Sequence, residues 1–231
     1  MRKLSAVLCM VAVLIFVGSA MAQFGNKVSD TPHNLRLATT DNMGVVDYGE
    51  VCVYCHTPHN NNTEIEAPLW NRETPASNYT MYSSPSIDMT IASSAQGVSL
   101  ACLSCHDGSI ALDQLINVPT GQTPVQGGVT IQNCANNCHV GNNPSGGLNF
   151  EGTFIGTDLS NDHPISITYD PTRDPNFVPA QNGMVGNLPL YGPNKDQVEC
   201  ATCHNPHDNS NRPFLRMSNE NSALCLTCHD I

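Results

Sequence analysis

Five times along this chain a pair of cysteines is followed directly by a histidine. Four copies have the form C-x-x-C-H: Cys52/Cys55/His56, Cys102/Cys105/His106, Cys200/Cys203/His204 and Cys225/Cys228/His229. The fifth, Cys134/Cys138/His139, carries one extra residue between its cysteines. C-x-x-C-H is the attachment pattern of c-type haem, in which the thiols bond the porphyrin covalently and the neighbouring histidine ligates the iron. One copy of so short a pattern says little. Repetition makes it specific, and it means that the chain must fold around an array of prosthetic groups whose natural work is electron transfer.

The first residues suit the oxidising compartment in which such attachment takes place. Arg2 and Lys3 precede an apolar run from Leu4 to Val17, and Ala20-Met21-Ala22 has the small-x-small form of a cleavage site. The run is short for a bilayer span, so residues 1–22 read as a signal peptide that is removed, with a retained anchor as the alternative. Cys9 leaves with it, and the ten remaining cysteines all lie in the five motifs. No later segment is apolar enough to span a membrane. The expected location is periplasmic, at the outer surface or extracellular.

Residues 23–231 carry 20 acidic and 7 basic side chains, a net charge of −13. Such a surface disfavours nucleic acid and anionic membranes and suits basic redox partners or cationic surfaces. Only 13% of the residues are charged, against about a quarter in ordinary globular proteins, and Gly, Pro, Ser, Thr and Asn take their place. With no sustained helical or strand periodicity, the chain lacks the means to build one conventional core. The expected fold is mostly irregular chain with short α-helices and few short strands, wrapped around a closely packed array of c-type haems. It forms a single domain over 23–231, with an insertion around 116–150. Residues 74–98 read as surface loop, a short helix is expected from about Ser99, and another from about Asn219 to the end.

The histidines can be counted against the irons. Five are proximal: His56, His106, His139, His204 and His229. A low-spin haem takes a second axial ligand, usually His or Met, and four histidines remain for that role: His33, His59, His163 and His207. His56-Thr57-Pro58-His59 and His204-Asn205-Pro206-His207 repeat one pattern, C-H-x-P-H. Histidines three positions apart cannot straddle one porphyrin, so each second histidine must serve another haem. For His207 the natural target is the haem of Cys225 and Cys228. His59 has no such near neighbour and would serve a remote haem of the same chain or one in an adjacent subunit.

The stretched motif supports two readings. It is either a fifth haem site, with Met184 or Met217 as sixth ligand or an open iron, or a small disulfide loop. Zinc is the remaining alternative for Cys/His clusters. Five repeats behind a secretory signal argue against it.

The chain resembles the multihaem c-type cytochromes, and within them the OmcE-like extracellular tetrahaem cytochromes whose subunits polymerise into filaments. The residues that carry the resemblance are Thr31-Pro32-His33-Asn34-Leu35, Cys55-His56-Thr57-Pro58-His59-Asn60 and Pro68-Leu69-Trp70-Asn71-Arg72. Cys102 to Gly108, Asn161-Asp162-His163-Pro164, Val198-Glu199-Cys200 and Ala223 to His229 extend it over nearly the whole secreted chain. The resemblance implies bis-histidine ligation of four haems, with His33, His59, His163 and His207 as distal ligands and one of them donated across a subunit interface. The block 134–139 departs from a four-motif pattern. Three functions follow in order: a filament subunit that conducts electrons, a monomeric periplasmic shuttle, and a haem-dependent reductase with an open site at Cys134/Cys138/His139. The first two are electron carriers rather than enzymes, with redox proteins or extracellular acceptors as partners.

Overall fold

A computed structural model describes residues 27–36, 44–75, 78–133 and 153–231. The expected signal peptide and the motif Cys134/Cys138/His139 lie outside the described residues, as does part of the expected insertion.

Regular structure is sparse. The helices are α1 (Ser99–His106), α2 (Ile131–Asn133), α3 (Cys200–Cys203) and α4 (Ala223–Leu226), with 3-10 turns at Val28–Asp30, Cys52–Tyr54 and Glu220–Ser222. Each of the four regular motifs therefore starts on a helical turn. Among the described residues, four two-residue strands form two antiparallel pairs: β1 (Ile167–Thr168) with β4 (Gln197–Val198), and β2 (Met184–Val185) with β3 (Leu188–Pro189). The second pair is a hairpin turned by Gly186-Asn187, where Gly186 takes the φ of +55° that a two-residue turn requires.

α1 begins at Ser99, where the sequence puts a helix start, and buries Ala101, Leu103 and Ser104. It stops at Gly108, whose φ of +76° lets its N–H return to the Cys105 carbonyl at 3.2 Å. A side chain there would run into Phe154, with a Cβ only 2.7 Å from the ring.

Among the described residues the apolar interior is divided into four small clusters. One gathers Val45, Tyr48, Tyr54, Leu112, Leu115 and Ile131, with Cys55 and Cys105 against it. A second joins Met89, Ile167, Tyr169, Val185, Leu190 and Val198 beside Cys228. Smaller groups centre on Leu103 with Tyr79, and on Trp70 with Ile65 and Ala101. Three of the four touch a motif cysteine, so packing converges on the attachment points.

Polar contacts link the clusters. Arg72 is fully buried and donates to the carbonyls of Ser104, Ala111 and Leu112 at 2.8–2.9 Å and to Ser104 Oγ at 3.2 Å. One guanidinium thus satisfies the end of α1 and the loop that follows it.

Two expectations need correction. Residues 74–98 are not plain surface loop: Tyr79, Met89 and Ala95 are buried, and Tyr79 donates to Asp107 Oδ2 at 2.7 Å. Apolar residues spaced widely among Ser and Thr have no period, yet Tyr79 and Ala95 dip into the Leu103 cluster and Met89 into that of Ile167 and Tyr169. The C-terminal helix ends at Leu226 instead of running on, because Val178 N–H captures the Cys228 carbonyl at 3.0 Å and Phe177 bridges to His229.

Candidate functional site

Six of the eight histidines among the described residues meet in three pairs. His56 and His207 have ring centres 6.0 Å apart and nearly parallel planes, at 13°. His33 and His106 are 6.2 Å apart at 81°, and His163 and His229 are 6.5 Å apart at 68°. Each pair joins the histidine of a C-x-x-C-H motif to one of the spare histidines. An imidazole nitrogen binds a first-row metal at about 2 Å and sits roughly 1 Å in front of its ring centre, so two rings on opposite sides of one metal have centres about 6 Å apart. The three separations have that value. Among the described residues, no group of three or more His, Cys, Asp or Glu side chains converges on a point that could hold a metal. Two protein ligands suit an iron whose other four positions a porphyrin fills, and the residues present fit haem.

The rings are also oriented for metal binding. His56 Nδ1 meets the Pro68 carbonyl at 2.7 Å, His106 Nδ1 the Thr153 carbonyl at 2.7 Å and His204 Nδ1 the Pro213 carbonyl at 2.9 Å. A carbonyl accepts only from N–H, so Nδ1 carries the proton and Nε2 is left as the lone-pair donor. His163 Nδ1 does the same with the Pro164 carbonyl at 3.0 Å. Burial, then His106, hold His33 down at about 4. His106, His207 and His229 are shifted downward too, in each case first by burial. Lowered values keep these imidazoles neutral, the form that ligates metal.

His207 corrects the sequence reading. It does not approach the motif of Cys225 and Cys228; it faces His56, while His229 faces His163. The nearest motif in sequence is not the nearest in space, because the chain folds residue 207 back onto the first motif. The rule that excluded pairing within a C-H-x-P-H segment holds for both segments. His59 and His204 are not ring-paired among the described residues: both are exposed, and His204 lies close enough to the His33–His106 pair to lower both of its members without joining it.

The motifs succeed one another in space as they do in sequence. Burial and the neighbouring Cys105 push the Cys55 thiol up to about 12. The Cys102 thiol donates to Cys200, which raises the first and lowers the second. Cys203 is pushed up to about 11 by burial and then by Cys228. Thiols of the first and second, second and third, and third and fourth regular motifs are thus neighbours. The raised thiols of Cys55, Cys102 and Cys203 stay protonated and are poor metal ligands.

One arrangement occurs twice. In residues 52–71, Thr57 N–H donates to the Leu69 carbonyl at 2.8 Å, Asn71 N–H to the Cys55 carbonyl at 2.9 Å, and His56 bridges to Trp70. In residues 200–216, Asn205 N–H donates to Phe214, Arg216 N–H to Cys203, and His204 bridges to Leu215. Leu69 and Phe214 share the left-handed conformation, at φ +55° and +59°, and Pro68 and Pro213 offer the same carbonyl to the proximal histidine. The shared C-H-x-P-H was visible in sequence. The returning Pro-x-Trp and Pro-x-Leu segments were hidden by loops of different length. Trp70, Phe214 and Phe177, which pack on His56, His33 and His229, were not singled out as site residues either.

Comparison with known proteins bears on the last of these regions.

Residues 192–231 match the doubled CXXCH motif family.

That segment holds Cys200/Cys203/His204 and Cys225/Cys228/His229. The match supports a multihaem c-type cytochrome, with covalently bound haem and electron transfer as its role. No curated protein matches the chain. Among the described residues, no helix is long and apolar enough to cross a membrane.

Proposed function

We propose that this chain is the subunit of an extracellular cytochrome filament, carrying electrons along haems held by Cys52/Cys55, Cys102/Cys105, Cys200/Cys203 and Cys225/Cys228. On this reading His207, His33 and His163 are the distal ligands opposite His56, His106 and His229. Among the described residues, the haem of His204 then lacks a distal histidine from its own chain, and His59 lacks an iron.

The observation that carries the proposal is this pair of exposed leftovers, set in the two copies of one local structure. The second copy's C-H-x-P-H histidine, His207, crosses to the proximal histidine of the first copy, His56. The same operation takes the first copy's His59 to the His204 of another chain. A contact between different patches on identical subunits is heterologous, and unless it closes into a ring it propagates as a filament. Neighbouring thiols through all four motifs support a continuous electron path within each subunit.

Intact-mass spectrometry of the secreted protein tests the haem count, with four covalent haems expected and a fifth only if Cys134 and Cys138 bind one. Electron microscopy of the same sample tests assembly. Monomers whose haems are all bis-histidine would overturn the filament, because His59 would then have found His204 within one chain.

A further inference from the structure

Glu199 is almost completely buried, at 2% exposure, at the junction of two attachment helices. It precedes Cys200 at the start of α3, while Ser99 at the start of α1 donates one hydrogen bond to Glu199 Oε2 and accepts another from Cys200 N–H at 2.9 Å. Ser166 donates to the same carboxyl oxygen at 3.0 Å, from a left-handed conformation at φ +50° that a serine adopts only when held there. Glu199 N–H is taken by Thr202 Oγ1 at 3.0 Å. Three chain segments therefore position one carboxyl group, and the Cys102 and Cys200 thiols touch beside it.

The groups facing it do not neutralise it as a salt bridge would. From residues 62–68 comes a second carboxylate, Glu66: a Cβ built at Gly97 lies 3.4 Å from Glu199 Oε1 and 3.5 Å from Glu66 Oε2, so the two carboxyl groups look at each other across a bare glycine. From α1 come the Ser99 hydroxyl and the Cys102 thiol; from the segment before β1 comes the Ser166 hydroxyl; from α3 come the Cys200 thiol and Thr202. A buried carboxylate opposite another carboxylate, held by neutral donors only, binds a proton readily. Burial, with Glu66 adding to it against the two serines, raises Glu199 to about 7.

We propose that Glu199 is a redox-linked proton site: it takes a proton from water when the haem on Cys200 and Cys203 gains an electron, and releases it when the electron moves on. This rests on the haem reading of that motif. The balance is one electron from a neighbouring haem or external one-electron donor and one proton from solvent, against one iron reduced and one carboxylate neutralised. Coupling is reciprocal, so an electron that raises the proton affinity of Glu199 is itself held more tightly when Glu199 is protonated. Both hydroxyls donate to Oε2, which leaves Oε1 on the Glu66 side to carry the proton, and Glu66 provides a charge that favours the neutral form.

The test is spectroelectrochemical titration of the haem-loaded protein across pH, with wild type, Glu199→Gln and Glu66→Gln compared. The wild-type midpoint potential should fall as pH rises through neutrality. Glu199→Gln should lose that fall and keep the higher, low-pH value. Glu66→Gln should retain the fall but move it to lower pH. A Glu199→Gln protein with an unchanged slope overturns the proposal. If that variant does not accumulate, redox-difference infrared spectra of wild type and Ser166→Ala decide. A carboxylic-acid band gained on reduction and moved by Ser166→Ala supports Glu199, and its absence overturns it. A pyridine haemochrome assay separates the two failures: no covalent haem sinks the haem reading, whereas a loaded but pH-independent wild type sinks this inference alone.

Discussion

Arg72 and Glu199 are both buried charges, and they are satisfied in opposite ways. Arg72 donates to carbonyls and a serine, which use its planar fork fully. Its replacement by Ala would strand three buried carbonyls and should cost about 3 kcal/mol or more in denaturant unfolding, with Arg72→Lys recovering part of the loss. Glu199 carries a raised proton affinity, about 7 against an ordinary 4.5. Both folded and unfolded states are protonated below pH 4.5, so no penalty applies there. Between 4.5 and 7 the folded state binds more protons than the unfolded one, and stability must fall as pH rises; above 7 the loss is complete. Denaturant unfolding followed at pH 5 and pH 8 should therefore show a lower midpoint at pH 8. Glu199→Gln should narrow that difference. Neither residue was legible as special in the sequence beyond its place in a motif segment, since burial of a lone charge leaves no local pattern.

Elements of two to eight residues hold the sites, so small changes at element ends should have large effects. Gly108→Ala asks for a left-handed alanine whose methyl would lie 2.7 Å from Phe154 and 2.9 Å from Gln132. A loss of about 1–3 kcal/mol is expected, with the second motif loosened, as seen by a broadened Soret response in denaturant titration. How much of this could be read in advance differs by feature. The four attachment motifs and the start of α1 at Ser99 were legible, because cysteine spacing and the helix carrying it are local. The distal partner of His56 was not. His207 reaches it over 151 positions of chain, and nothing in the sequence near either residue encodes that return. The repeat of residues 52–71 in 200–216 was half legible: C-H-x-P-H is visible, but the closing segments begin 12 positions after His56 and 9 after His204. Only the matching hydrogen bonds align them.

At the scale of the molecule, four separate apolar clusters among the described residues replace one core. A chain of this kind should need its haems to fold, and haem-free protein made by Cys→Ser substitution of the motifs should give a largely unfolded circular dichroism spectrum. If His59 completes the iron of His204 in the next chain, each interface leaves a spectroscopic mark. Wild-type filaments should be wholly low-spin, whereas His59→Ala should give monomers that keep all covalent haems with one of them high-spin. Added imidazole should convert that haem to low-spin without restoring filaments, since it supplies the ligand but not the link. His59→Ala protein that still polymerises would show that the interface does not depend on His59, and a wholly low-spin His59→Ala monomer would place the ligand of His204 within its own chain.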